Sequence, residues 1–215
     1  MPQHFHFTGP YHSEIGRSPV AFPWEKLTGQ PLIYASMGTI QNRLVPVFEA
    51  IAQACVDLEV QLVISLGGGM TPAMLPPLAG TPLVVSYAPQ LELLKRATLT
   101  LTHAGLNTAL ESLAQGVPMV AIPITNDQPG VAARIVWSGT GEMVSVDRLT
   151  ATKLRSAICK VLTEDSYKAQ ALRLQSAIQE AGGMTQAADI IELARCFADT
   201  ARVATGKPVL GEVER

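Results

Sequence analysis

The sequence predicts a three-layer α/β/α domain built around a parallel β-sheet of about six strands. Short apolar runs recur along the chain, and segments with helical spacing of apolar residues separate them. These runs do not alternate apolar with polar residues, which is typical of parallel strands that are covered on both faces. Regular alternation of strand and helix also favours parallel pairing, because parallel strands need a crossover connection between them.

Each predicted strand is an apolar run that ends at a glycine, a proline or a polar loop. PLIYAS begins at Pro31 and is followed by Gly38, and VQLVISLG runs into consecutive glycines. Such residues interrupt regular structure, so they mark the strand ends. The predicted strands cover 31–36, 60–67, 81–87, 99–102, 117–123 and 141–146.

The predicted helices carry apolar residues three or four positions apart, as the stripe that faces a core does. In the first helix Pro46 suits the first turn. Near the end of the chain, stripes that include Leu172 and Leu193 are interpreted as packing surfaces. The predicted helices cover 44–58, 90–97, 107–115, 128–137, 150–165, 166–181 and 185–203.

The length of 215 residues fits one domain with tails. Residues 1–30 contain Gly, Pro and aromatic residues without periodicity, which predicts an extended linker or arm. Residues 31–203 form the predicted ligand-binding domain, and 204–215 a flexible tail. A hydrophobic content of 47% indicates an ordered globular protein.

Charge and cysteine usage limit the function classes. With 16 basic and 18 acidic residues and no basic run, nucleic acid is not an expected partner. No apolar run is long enough to cross a bilayer, and the N-terminus lacks a signal-peptide core. Cys55, Cys159 and Cys196 lie in helical apolar patterns, so we expect them to be reduced and buried. Together these observations predict a cytoplasmic protein.

A metal site is not expected. The cysteines lack CxxC spacing, and no DxD motif is present. His4, His6 and His12 could suggest a site, but they have no carboxylate or thiolate companions. We interpret them as residues of the extended arm.

Polar residues follow the predicted strands, at the edge where parallel sheets bind ligands. In SMGT, Gly38 permits close backbone approach, and Ser36 and Thr39 offer hydroxyl groups, although Thr39 near a helix cap is an open alternative. In SYAPQ, Tyr87 offers a ring for stacking on a nucleobase and Gln90 an amide; an ordinary proline turn is the alternative.

The loop THAGLNTALES carries the densest group of polar residues. Gly105 allows tight approach, and Asn107 and Thr108 fall at a predicted helix start, where amide groups attract an anion. His103 adds a donor. Glu111 lies one turn after Asn107 and suits a diol such as a ribose, because a carboxylate would repel phosphate. A capped helix with a solvated Glu111 and a hydrogen-bonded His103 is the structural alternative.

The loop PITNDQ completes the set. Asp127 and Gln128 supply acceptors and donors for several hydroxyl groups, as a hexose requires, and capping of the next helix by Asn126 or Asp127 is compatible with this role. Base, ribose, diphosphate and sugar hydroxyls together describe a nucleotide-activated sugar.

The segments YAPQ, HAGLNTALES and GVPMVAIPITNDQ, within residues 87–128, resemble the donor-binding signature of UDP-glycosyltransferases. The similar region spans about residues 31–200. The resemblance implies the C-terminal half of a GT-B fold, a Rossmann-like domain that binds UDP-sugar. The segments FHFTGP and FPWEKLTGQPLIYASMGTIQN are further similar to the middle of carotenoid (zeaxanthin) glucosyltransferases, which implies UDP-glucose as donor and a small lipophilic acceptor.

The resemblance implies a role for each residue of the signature. Tyr87 would stack on the uracil, Ala88 would offer backbone hydrogen bonds to its edge, and Gln90 and Glu111 would contact the ribose. The residues that would hold the diphosphate are Thr39, His103, Gly105, Asn107 and Thr108. Asp127 and Gln128 would bind the donor sugar. Two departures from plant members, Tyr87 in place of Trp and a shorter spacing to His103, indicate a bacterial-type enzyme.

The family resemblance also implies a reaction: inverting transfer of a hexose to an acceptor hydroxyl without a metal. The acceptor site and catalytic base of the family lie in an N-terminal domain that we expect to be missing here. We therefore expect this chain to be inactive alone, with membrane association left to the missing domain. A stand-alone donor-binding subunit of a two-chain enzyme is the alternative. An epimerase-type enzyme is less favoured, because no acid and base carboxylates stand out.

Overall fold

The computed structural model describes residues 5–11, 18–40 and 43–205. In this part of the chain, the strands are β1 (Leu32–Ser36), β2 (Gln61–Ser65), β3 (Leu83–Val85), β4 (Ala97–Thr102), β5 (Met119–Ala121) and β6 (Gly141–Met143). The α-helices are α1 (Val45–Cys55), α2 (Gln90–Leu94), α3 (Leu106–Ala114), α4 (Gln128–Trp137), α5 (Ala151–Thr163), α6 (Asp165–Glu180) and α7 (Gly183–Thr205). Short 3₁₀ turns occur at Trp24–Lys26, Pro72–Met74 and Val146–Arg148.

The strands form one parallel sheet in the order β3-β2-β1-β4-β5-β6. From β1 the chain continues toward β2 and β3, whereas from β4 it continues in the opposite direction toward β5 and β6. Loops that leave neighbouring strands in opposite directions open a crevice at the carboxyl ends of those strands. The sheet therefore places a binding crevice beyond Ser36 and Thr102, which are paired across β1 and β4.

Apolar residues on alternate strand positions pack against helices on the two faces of the sheet. Ile33, Ala35 and Leu101 belong to a core cluster that includes α1 and α5. On the other face, Tyr34 packs in a cluster with residues of α2. Met119 packs in a third cluster, with residues of α3 and α4. The prediction of a three-layer α/β/α arrangement with a parallel sheet is confirmed.

Several element boundaries differ from the prediction. The helix predicted over 90–97 ends at Leu94, because Ala97 already pairs with Leu32 in the sheet. On the later helices Leu172 and Leu193 are 43% and 58% exposed, so neither is a core residue, although Leu172 does pack against Gly116. Among the cysteines only Cys55 is buried, and Cys196 is exposed, so the expectation of uniform burial is also wrong.

The chain divides into two compact units, Ser13–Ala177 and a unit of Met1–His12 with Ile178–Arg215. All six strands lie in the first of these. The predicted boundaries at residues 30 and 203 stay a prediction, and His4, His12 and residues 206–215 lie outside the described residues. None of the helices in the described part of the chain is both long and apolar enough to span a bilayer.

Candidate functional site

A cavity of about 470 Å³ lies at the carboxyl ends of β1, β2 and β4, in the crevice that the strand order predicts. We call it the switch-point cleft. The four loops that the sequence singled out contribute to its walls, together with Tyr34, Ser65 and Gly67, and each of the eleven predicted site residues lines it. These are Thr39, Tyr87, Ala88, Gln90, His103, Gly105, Asn107, Thr108, Glu111, Asp127 and Gln128.

The imidazole of His103 is enclosed by two glycines. A Cβ atom on Gly38 would lie 2.6 Å from Nε2 of His103, and one on Gly105 would lie 2.4 Å from the same atom. Such distances are well inside van der Waals contact, so neither position accepts a side chain without moving the ring. The two glycines are needed because they leave room for the histidine.

Burial lowers the pKa of His103 below its ordinary value of 6.5, and this outweighs the Ser36 carbonyl and the Asp127 carboxylate, which both favour the protonated form. The ring is therefore neutral near pH 7. Among the described residues, its buried Nδ1 atom has no hydrogen-bond partner. A buried polar nitrogen without a hydrogen-bond partner destabilises the folded chain, so the ring is held here at a cost in stability.

Helix α3 begins directly at the cleft. Its N-cap residue, Gly105, has an extended backbone and carries no side chain that could cap the helix. The next three residues, Leu106, Asn107 and Thr108, all line the cleft. Uncapped amide groups and the positive end of the helix dipole together favour a bound anion at this position.

A hydrogen-bonded series connects the interior of β1 to the cleft. The Tyr34 hydroxyl donates to Oε1 of Gln90 at 3.2 Å, and Nε2 of Gln90 donates to Oε2 of Glu111 at 2.6 Å. Glu111 is only 4% exposed although it carries a carboxylate, so the alternative of a solvated Glu111 is wrong. A buried carboxylate needs hydrogen-bond donors, and Gln90 supplies one.

Tyr87 presents a half-exposed ring at the mouth of the cleft, directly before the buried Ala88. Gly68 stands beside the ring: a Cβ atom there would lie 3.8 Å from it, and its N–H donates to the Ser86 carbonyl at 2.8 Å. A ring held at its base and open on the outside can stack on a planar ligand.

The remaining predicted residues, Thr39, Asp127 and Gln128, also line the cleft. Thr39 is not a helix cap, because α1 starts only at Val45 with Leu44 as its N-cap. The side chain of Asp127 does not cap α4 either. Oε1 of Gln128 accepts the backbone N–H groups of Ile124 and Thr125, at 2.9 and 3.0 Å. The carbonyl end of the Gln128 amide is thus hydrogen-bonded within its own loop, and its NH₂ end is the group that can donate to a ligand.

Sequence reasoning missed part of the lining, above all Tyr34 and Ser65. Both lie in apolar runs that read as buried core. Strand register could have indicated both residues. Ser36 pairs with Ser65 across β1 and β2, and Tyr34 is two positions before Ser36 on the same face of the sheet. In the described residues no group of three His, Cys, Asp or Glu side chains is arranged to hold a metal ion.

Comparison with known proteins identifies the same architecture. Residues 27–182 match the family model of UDP-glucoronosyl and UDP-glucosyl transferases. The zeaxanthin glucosyltransferase of Pantoea ananas is 34% identical over 98% of this chain and 47% of its own length. Among solved structures, the calicheamicin glycosyltransferase CalG4 is 28% identical with a TM-score of 0.76, over 97% of this chain and 50% of that one.

A solved plant glycosyltransferase structure is similar over a smaller share of this chain. Os79 from O. sativa, solved in complex with UDP and deoxynivalenol-3-glucoside, is 25% identical with a TM-score of 0.64, over 77% of this chain and 42% of that one. The chain spans about half the length of the curated relatives it matches. The fold is that of the C-terminal half of GT-B glycosyltransferases, and the chain belongs to the UDP-glucoronosyl and UDP-glucosyl transferase family.

Proposed function

We propose that the switch-point cleft binds a UDP-sugar, with UDP-glucose as the expected donor, for transfer of the hexose to an acceptor hydroxyl. One observation carries the proposal: eleven residues from four separate loops line a single cleft, and their chemical types match the successive parts of such a donor. The similarity to Os79, which was solved with UDP, supports uridine as the nucleoside.

Different residues of the cleft bind different parts of the donor. Tyr87 and Ala88 receive the base, by stacking and backbone hydrogen bonds. The Glu111 carboxylate accepts from ribose hydroxyls, which it suits because it would repel a phosphate. Asp127 and the NH₂ group of Gln128 bind hydroxyls of the sugar.

The diphosphate lies against His103 and the first turn of α3, assisted by Thr39. In the proposed reaction the acceptor oxygen attacks the anomeric carbon, the bond from that carbon to the diphosphate oxygen breaks, and the configuration inverts. Negative charge grows on the departing UDP. Amide groups at the α3 N-terminus and the imidazole N–H stabilise that charge without reorganising, as preorganised donors do.

The acceptor and the base that removes its proton are assigned to a part of the enzyme outside this cleft. We propose a small lipophilic acceptor, on the basis of the similarity to the zeaxanthin glucosyltransferase of Pantoea ananas. An N-terminal domain of the same polypeptide is the favoured source of that base, and a partner chain is the alternative. Finding that the reading frame extends upstream of Met1 would exclude the partner chain.

Isothermal titration calorimetry of the chain with UDP, UDP-glucose, dTDP and GDP tests the proposal, with and without EDTA. We expect UDP and UDP-glucose to bind, and to bind equally well with EDTA. His103→Ala is expected to weaken UDP binding by about tenfold or more, because it removes a hydrogen bond to a charged group. His6→Ala, at an exposed histidine outside the cleft, is the matched control. Absence of binding by every nucleotide would contradict the proposal.

A further inference from the structure

Tyr34 has a polar role that its place in an apolar strand conceals. Its side chain is 1% exposed and packs in the core cluster on the α2 face of the sheet. Tyr34 is nevertheless among the residues that line the switch-point cleft, and its hydroxyl donates to Oε1 of Gln90. A buried phenol of this kind cannot change position without disturbing β1, so it holds the side-chain amide of Gln90 in a fixed position.

The two ends of the Gln90 amide are held by different partners. Oε1 accepts from Tyr34, while Nε2 donates to Oε2 of Glu111 at 2.6 Å and to Oγ1 of Thr108 at 3.5 Å. A reversed amide would place its oxygen against the Glu111 carboxylate, an arrangement of two acceptors with no proton between them. The observed orientation is thus the one that satisfies both ends.

The strand pairing adds rigidity around the Tyr34 hydroxyl. Ser36 and Ser65, which are paired across β1 and β2, stand beside it. Burial raises the pKa of Tyr34 to about 12, although these serine hydroxyls oppose the rise. The phenol therefore remains protonated, and it remains a donor to Gln90, throughout the neutral range.

We propose that Tyr34 is a positioning residue for nucleotide recognition: through Gln90 it fixes the Glu111 carboxylate in the orientation that accepts the ribose hydroxyls. The proposal rests on the proposed function, because it takes the ligand to be a ribonucleotide. It assigns Tyr34 no contact with the ligand. Its consequence is that selection for ribose over deoxyribose depends on a side chain in the interior of β1.

The test compares the affinities of UDP and 2′-deoxy-UDP by calorimetry, as a ratio for each variant. We expect wild type to prefer UDP by about tenfold, the effect of one hydrogen bond to a charged group. Tyr34→Phe removes only the hydroxyl and is expected to reduce this preference to about threefold or less. A smaller folded fraction would lower both apparent affinities equally and leave the ratio unchanged, so the ratio separates positioning from stability.

Two further variants complete the experiment. Tyr167→Phe removes another buried tyrosine hydroxyl, one bonded to Glu142 outside the cleft, and is expected to keep the wild-type ratio. In a Glu111→Gln background, Tyr34→Phe is expected to change the ratio no further, since coupled residues are not additive.

A Tyr34→Phe protein with the full wild-type preference would overturn the inference while the proposed function stands. So would a wild type that binds UDP and 2′-deoxy-UDP equally. A wild type that binds neither would instead contradict the proposed function, and the inference with it.

Discussion

Gly105 lies so close to the imidazole of His103 that a methyl group at position 105 would be 2.4 Å from Nε2. The backbone of Gly105 has φ −62° and ψ 133°, which any residue adopts, so the glycine is required by space and not by conformation. The histidine and the glycine therefore form one steric unit at the start of α3, and a change in one is a change in the position of the other.

Gly105→Ala is expected to weaken UDP binding by about tenfold or more, because the added methyl displaces the ring from the diphosphate position. The ring is a movable side chain, so the loss falls on affinity and not on the free energy of unfolding. Calorimetry and urea unfolding measure the two quantities separately. Gly130→Ala in α4, where an added Cβ meets nothing within 4 Å, is the control; it should leave binding intact and stabilise the helix by up to about 1 kcal/mol. Equal UDP affinity in Gly105→Ala and wild type would contradict the assignment of His103.

The depressed pKa of His103 predicts a loss of stability on acidification. Since burial lowers its pKa in the folded state below 6.5, the unfolded chain binds the proton first as the pH falls. The free energy of unfolding should therefore decrease below about pH 6.5 and level off once the pH passes the folded-state pKa. Urea unfolding of wild type and His103→Gln over this range isolates the contribution. Parallel curves for the two proteins would show that His103 titrates alike in both states.

Glu111→Ala is expected to weaken UDP binding by about 1–3 kcal/mol, because it removes an acceptor from a buried ribose site and leaves Nε2 of Gln90 without its shortest hydrogen bond. The measurement is again calorimetry. Glu59→Ala, at an exposed glutamate between α1 and β2, is the matched control and should bind like wild type. Unchanged UDP affinity in Glu111→Ala would contradict the assignment of Glu111 to the ribose.

Ala104 is a non-glycine residue with φ +64°, and its side chain is fully buried between His103 and Gly105. Ala104→Val should destabilise the protein by about 1–3 kcal/mol, since a branched side chain is strained at this φ and overfills the cluster beside α3. Ala104→Gly is expected to be nearly neutral, because relief of about 1 kcal/mol of backbone strain offsets the loss of a buried methyl worth about 0.8 kcal/mol. Urea unfolding checks both, and a wild-type stability in Ala104→Val would show that the site adapts.

The sequence was sufficient for the layers, the strand count and the eleven predicted residues that line the cleft, because each rests on local pattern. The residues that follow β4 and β5 could be placed at one edge because parallel strands all end there. Helix α4 was predicted from about Gln128 to Trp137 and has those bounds, with a proline in its first turn, where proline is tolerated.

What could not be predicted depends on pairing between distant segments. Tyr34 reads as core in PLIYAS, and only its contact with Gln90 reveals a polar role. Sequence alone also could not show that the carbonyl end of Gln128 accepts two backbone N–H groups of its own loop, because that contact depends on the loop's conformation. Leu172 and Leu193 follow helical stripes and are nonetheless exposed, because periodicity does not show what a helix faces.

The central strands of the sheet, β1 and β4, pair with each other although they are far apart along the chain, and Leu32 lies opposite Ala97. Strands β1 to β3 and β4 to β6 each form from neighbouring segments, whereas the β1–β4 contact requires closure of the whole intervening loop. Non-local contacts of this kind slow folding, because chain entropy is lost before they form. Neither half of the sheet contains the cleft by itself. Nucleotide binding therefore requires that this non-local pairing has formed, and in refolding kinetics a fluorescent nucleotide would report only on chains that have completed it.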